Sequence, residues 1–371
     1  MNTFLLFLAV NGLLWLADWF NEVPPGQRVI NKYGLAKLRQ ASTGLTDAQI
    51  MALQEETWGR QLAYEPFTEF KEAEFQGRHV NVSRAGFRVG PEQGVWPPAK
   101  SNLNVFIFGG STTFGYGVTD ADTLPAQLQA RLRALAPARL ACVYNFGRAF
   151  FTSTQERILF QQLLLQGRRP AIAVFVDGVN DAVFPANENA LSAELDDAVR
   201  RKHGQIRDLG VLGRLPLLRP VQRLLADDEA PRHRAEQFWS ELGSGDRSPD
   251  GARLVEWVGA RFLANVHLNA AAGGAFSVRT LFVWQPCPFY RLSPTRYPFE
   301  LSAHDQLVRA VYERMARLEQ RERPAAFLWL ADVQEELKDP LYVDAVHYSP
   351  DFNAALAARI ADWIKANGWL D

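Results

Sequence analysis

Five short apolar runs constrain the fold of this 371-residue chain most tightly. They are 104–108 (NVFIF), 140–145, 171–177 (AIAVFVD), 280–285 (TLFVWQ) and 326–330 (AFLWL). None alternates apolar and polar residues as a strand with one wet face does, so each reads as a strand buried on both faces. Between them the apolar spacing turns helical. In 123–136, Leu124, Leu128, Leu132 and Leu135 fall on one face. Further helices are expected at 152–166, near 251–270, at 302–321 and at 350–367, the last opened by Pro350 and stopped by Gly368. Buried strands alternating with helices predict an α/β protein of three layers, α/β/α, around a five-stranded parallel sheet.

The N-terminal part is different. Residues 3–20 (TFLLFLAVNGLLWLADWF) hold only Asn11 and Asp18 as strongly polar residues. That is close to the ~20 apolar residues that span a bilayer. No basic stretch precedes the run and no small-x-small site precedes Pro24, which argues against a cleaved signal peptide. A membrane anchor over 1–22 is the expectation; the alternative is an amphipathic helix packed on the domain or lying in the interface. Arg28 and Lys32 follow the run, which on the positive-inside rule slightly disfavours an exported domain. Pro24-Pro25-Gly26 reads as a helix stop within a linker at 21–27. A helix is expected at 45–62, with Thr46 as N-cap and Gln49 three residues on. Residues 65–100 mix Phe, Gly and Pro without a sustained period, and 23–101 is read as a mostly helical pre-domain packing on the core. Domain 102–371 then carries about a hundred residues between its third and fourth strands, far more than a crossover needs. An insertion at about 183–250 is expected, either helical and lying over the face where the strands end or a solvated excursion with no role in binding.

Charge and cysteine content exclude some classes. The formal net charge is -1, so no global field favours nucleic acid. Cys142 and Cys287 are the two cysteines, too few for a Cys-rich zinc site, and read as buried thiols.

Four short blocks carry chemistry: Gly109-Gly110-Ser111-Thr112, Asn145-Phe146-Gly147, Gly178-Val179-Asn180-Asp181 and Asp344-Ala345-Val346-His347. The first three each follow an apolar run. Together they supply a hydroxyl nucleophile, a backbone N–H, a neutral amide and a histidine with its carboxylate, the parts of acyl transfer through a covalent ester. Singly, each block has a plainer reading. Ser111 alone would be a helix N-cap, the Gly178 block a turn with an Asx cap, and His347 a surface loop residue near an acid. Of six histidines only His347 has an Asp three positions before it, a spacing that lets Asp344 bond the far ring nitrogen.

The four blocks in this order resemble the SGNH (GDSL-type) hydrolase superfamily, named for that Ser, Gly, Asn and His. The resemblance runs from Asn102 to Asn367, and a segment of Asn81 with Gly86-Phe87-Arg88 resembles one that precedes the nucleophile in many proteobacterial members. It implies a flavodoxin-like core, Ser111 as nucleophile and His347 with Asp344 as base. It also implies an oxyanion hole from the Ser111 N–H, the Gly147 N–H and the Asn180 amide. The family's usual Asp before the serine is Gly110 here, which removes a carboxylate that often props the loop. Many anchored members face the periplasm, which points to a bacterial inner-membrane protein with its catalytic domain outside. The expected activity is hydrolysis of a carboxylic ester of a lipid, glycan or small molecule. An O-acetyl transferase on the same residues and a catalytically silent binding protein of the same fold are the alternatives. No metal or organic cofactor is implied. Tyr116 is a candidate rim residue, and Phe150, Phe151 and Gln285, which follow strands two and four, are candidate pocket residues, with core packing the favoured role for each of these three taken singly.

Overall fold

The computed structural model describes residues 2–21, 23–42, 44–184, 215–218, 251–293, 296–297, 305–318 and 322–370. The insertion expected at about 183–250 lies almost wholly outside the described residues. The chain divides into two compact units. One holds Met1–Pro24 with Glu188–Asp250; the other holds Pro25–Asn187 and Gly251–Asp371.

In the smaller unit, Asn2–Asn21 is a helix, and Asn11 accepts a hydrogen bond from the Leu217 N–H at 3.2 Å. Among the described residues no helix is long and apolar enough to cross a membrane, so the anchor expectation is not supported there.

The larger unit opens with three helices, Pro25–Tyr33, Leu35–Ala41 and Asp47–Trp58. The linker reading at 21–27 is corrected: Pro25 starts a helix, where its fixed φ and missing N–H cost nothing. Thr46 caps the third helix and exchanges bonds with Gln49. The mostly helical reading of 23–101 is corrected too. Antiparallel β1 (Leu62–Glu65) and β2 (Glu69–Glu72) follow, then β3 (Phe75–Gln76) and β4 (Asn81–Val82). Strands of two to four residues are too short to show a period in the sequence.

The main sheet contains β5 (Leu103–Gly109), β6 (Ala141–Gly147), β7 (Ile172–Asp177), β8 (Arg279–Trp284) and β9 (Phe327–Trp329). All are parallel and lie in the order β6-β5-β7-β8-β9. This is the doubly wound flavodoxin-like order. Helices Leu124–Leu135 and Pro350–Ala366 pack on each other, while Gly251–Ala275 packs on Ser153–Leu165 and Asp305–Ala316. In-register pairing sets Phe146, Phe108, Phe175 and Phe282 side by side across four strands, with neighbouring rings stacked 4.9–5.7 Å apart. Each ring is buried and contributes about 2–3 kcal/mol. Phe160 covers this row from the Ser153–Leu165 helix. The strands therefore end in fixed register, and the loops after β5, β6 and β7 open at one edge of the sheet. Beyond β6, Arg88 bridges both Val82 and Asn145, so the preceding segment covers the sheet edge.

Candidate functional site

β5 ends at Gly109, and Ser111 begins the short helix Ser111–Phe114. The last strand leads to a tight loop before helix Pro350–Ala366. Tyr342 and Tyr348 bridge the loop's two arms, and the Val343 N–H donates to the His347 carbonyl at 2.8 Å. Ser349 caps the following helix through the Phe352 N–H. This hairpin closure aims the His347 ring at β5.

His347 Nε2 lies 2.8 Å from Ser111 Oγ, and His347 Nδ1 lies 2.8 Å from both Asp344 oxygens. Asp344 Oδ1 also accepts the N–H groups of Val346 and His347, at 3.0 and 2.9 Å. Burial alone would raise the Asp344 carboxyl. The His347 ring and the two backbone donors outweigh it and hold the group below the ordinary carboxylate value. Asp344 and His347 are buried, and Ser111 is half-buried. Such a chain can take a proton from the serine and stabilise the imidazolium that results.

Asn180 is the second residue of helix Val179–Val183, directly after β7. Its Nδ2 donates to the Phe151 carbonyl at 2.7 Å, and its second amide hydrogen has no partner among the described residues. A Cβ on Gly110 would sit 2.3 Å from Asn180 Nδ2. A side chain at 110 would therefore displace the Asn180 amide.

Gly147 stands on a different footing from the expectation. Its N–H donates to Asn145 Oδ1 at 3.0 Å, and a Cβ there would meet the Phe114 nitrogen at 2.3 Å. Glycine is required at 147 so that β6 can pass against the Ser111–Phe114 helix. Nearby, Phe150 has φ 60, an uncommon conformation for a bulky residue. Its N–H makes no hydrogen bond among the described residues.

Of the four candidate pocket residues, three are buried. Tyr116 is buried and its ring stacks on His347, 5.3 Å away at 20°. Phe151 is buried against Phe70 and Arg148. Gln285 is also buried: its Oε1 accepts from Thr112 Oγ1 at 2.8 Å and from Tyr348 Oη at 3.0 Å, tying the serine loop to the histidine loop. Phe150 alone of the four is exposed, edge-on to Phe184. Long-range packing buries the other three, and no local pattern signals it.

Arg88 is the residue whose importance the sequence reading missed. Its buried guanidinium donates to the carbonyls of Phe114, Gly115 and Val118 at 3.1, 2.6 and 2.8 Å, and to Asp120 at 2.8 Å. Those carbonyls line the turn that follows Ser111. The Gly86-Phe87-Arg88 motif was the available signal. Asp181 caps helix Ser153–Leu165 through the Ser153 N–H and hydroxyl, and Arg261 pairs with it at 3.3 Å. Among the described residues no group of three or more His, Cys, Asp or Glu side chains could hold a metal ion. Both cysteines are buried free thiols.

No protein-family model matches the chain, and a search of curated proteins finds no relative. Among solved structures it is similar to an α/β hydrolase enzyme from the metagenome of Lake Arreo, at 15% identity over 73% of this chain and 97% of that one, TM-score 0.38. It is similar to a lipase/acylhydrolase from Enterococcus faecalis, at 16% identity over 71% and 96%, TM-score 0.38. A GDSL-like lipase from Bacteroides thetaiotaomicron shares 12% identity over 74% and 93%, TM-score 0.37. At these scores nothing about activity transfers from them to this chain.

Proposed function

We propose that this chain is a serine hydrolase of the SGNH type that cleaves carboxylic esters. The observation that carries the reading is the continuous contact Ser111 Oγ–His347 Nε2, His347 Nδ1–Asp344, set beside the Asn180 amide. Ser111 Oγ attacks the ester carbonyl while His347 takes its proton. The imidazolium then gives that proton to the departing alkoxide, leaving an acyl-serine. Water, deprotonated by His347, attacks the acyl group, and the carboxylic acid leaves as Ser111 regains its proton.

Negative charge on the carbonyl oxygen needs donors already in place. In this reading they are the Ser111 N–H, the Asn180 amide and the Phe150 N–H. Phe150 takes the place expected of Gly147 because the Gly147 N–H is spent on Asn145. Its neighbour Phe151 holds the Asn180 amide, and the Phe151 oxygen is 3.6 Å from where a Gly110 Cβ would sit, so this turn borders the nucleophile loop.

A membrane-surface location belongs to the same proposal. Leu5, Leu6, Leu13 and Trp15 of the first helix are each more than half exposed, an apolar surface that suits a lipid interface. The resemblance to anchored family members points to the periplasmic side of a bacterial inner membrane.

The test is turnover of p-nitrophenyl acetate. The wild-type chain should hydrolyse it, and Ser111→Ala should abolish turnover with the circular dichroism spectrum unchanged. Retained turnover in that variant would remove Ser111 from the mechanism.

A further inference from the structure

We infer that Trp58 and Tyr116 are positioning residues for His347, forming an aromatic wall that fixes the imidazole plane. The inference rests on the proposed function for its catalytic meaning, but its geometry stands alone. The Tyr116 ring lies parallel to the imidazole at 5.3 Å and 20°. The Trp58 ring meets the imidazole edge-on at 5.7 Å and 76°, and meets Tyr116 at 4.9 Å and 80°. Three rings thus touch pairwise. Trp58 comes from the end of helix Asp47–Trp58, in the part of the chain that precedes all four motif blocks.

Hydrogen bonds alone do not hold His347 fully. Asp344 engages one ring nitrogen and Ser111 the other, so the ring can still rock about the axis through its two nitrogens. A stacked ring on one face and an edge against it remove that freedom. The wall is itself braced. Trp58 Nε1 donates to Gln54 Oε1 at 3.2 Å, and Trp58 packs against the cluster of Leu53, Val80, Val82 and Phe114.

Tyr116 has the electronic character the role needs. Burial first, then the Glu72 charge, push its phenol well above the ordinary value, so the ring stays neutral. Neutral aromatic faces attract a cation, and His347 becomes one when it takes the serine proton. The charged and titratable groups around His347 are few. Asp344 lies on its own loop, and Tyr33 packs near Asp344, whose charge together with burial raises the Tyr33 phenol. Behind Tyr116, Glu72 pairs with Arg60 at 3.2 Å, and the Arg60 guanidinium lies 5.3 Å from the Tyr116 ring.

The experiment uses the full chain with Trp58→Leu, Tyr116→Leu and Tyr116→Phe. The order of the His347 ring is read from its NMR line widths, assigned with His347→Gln, alongside kcat and KM for an ester. Both leucine variants should broaden the His347 ring signals, as a ring freed to rock does. They should lower kcat roughly tenfold with KM unchanged. Tyr116→Phe keeps the ring face and should match wild type in both readouts. Trp58 is only half-buried, so Trp58→Leu decides the matter if Tyr116→Leu fails to fold. A folded Trp58→Leu whose His347 ring signals and turnover match wild type overturns the inference. So does a Tyr116→Phe as impaired as Tyr116→Leu, since the hydroxyl would then be the active feature. If the wild-type chain hydrolyses no ester, the proposed function fails, while the His347 ring signals still decide the wall.

Discussion

The Arg88 guanidinium donates to the Gly115 carbonyl at 2.6 Å, across 27 residues of sequence. The same group reaches Phe114, Val118 and Asp120, so one buried cation closes the turn that follows Ser111. Its planar fork matches four acceptors that an ammonium group cannot reach together. Arg88→Lys should therefore lower stability by about 2–4 kcal/mol in urea denaturation. It should also lower kcat, because the nucleophile loop loses its brace. A variant within about 0.5 kcal/mol of wild type, a surface-like effect, would show that the loop holds itself.

Asn180 should separate binding from catalysis. Asn180→Ala removes a donor needed only as charge develops, so kcat should fall by roughly 10²–10³ while KM moves little. Steady-state kinetics on p-nitrophenyl acetate read the split. A change confined to KM would make Asn180 a substrate-positioning or structural group.

Below the Asn180 turn, Glu156, Asp177 and Asp181 are all buried, with Arg261 pairing to Asp181. Burial first, then the neighbouring negative charges, push the Glu156 carboxyl well above its ordinary value. A group with a raised folded-state value holds its full stabilising contribution below the unfolded value, about 4.3 for Glu, and loses it as pH rises through the folded value. Wild-type thermal stability should accordingly decline with rising pH above the carboxylate range. Glu156→Gln, neutral at every pH, should flatten that decline in differential scanning fluorimetry. An equal slope in both proteins would mean that Glu156 ionises without penalty.

The five strands lie where the apolar runs predict them, because a strand buried on both faces carries its own local signature. Ser111, Asp344 and His347 meet because the fold brings strand ends to one edge, a consequence of topology that alternating runs make readable. Other features depend on distant chain. Phe151 and Gln285 follow strands as pocket residues would, yet Phe70 and Tyr348 pack over them. The hairpins β1–β4 are too short to show a period. Gly147 looked like a donor by its place after β6, and only the Asn145 side chain shows that its N–H is taken. Trp58 sits on an unremarkable helix end, and no spacing in the sequence places it on His347.

The first helix supplies an independent test of location. With Leu5, Leu6, Leu13 and Trp15 exposed, the full chain should float with phospholipid vesicles, and a chain beginning at Gln27 should not. The shorter chain should still hydrolyse short esters, since Ser111, Asn180, Asp344 and His347 all lie in the unit of Pro25–Asn187 and Gly251–Asp371. A full-length protein that stays soluble and monodisperse without lipid would assign that helix to a protein contact instead.

The most direct measurement is covalent labelling with a fluorophosphonate, read by mass spectrometry of the modified peptide. A serine activated by His347 and Asp344 should carry the label at Ser111 in the wild-type chain. Labelling should be lost in Ser111→Ala, nearly lost in His347→Ala, and weakened in Asp344→Asn, because the three groups act as one unit. A label on another serine, or undiminished labelling of Ser111 in His347→Ala, would contradict the account.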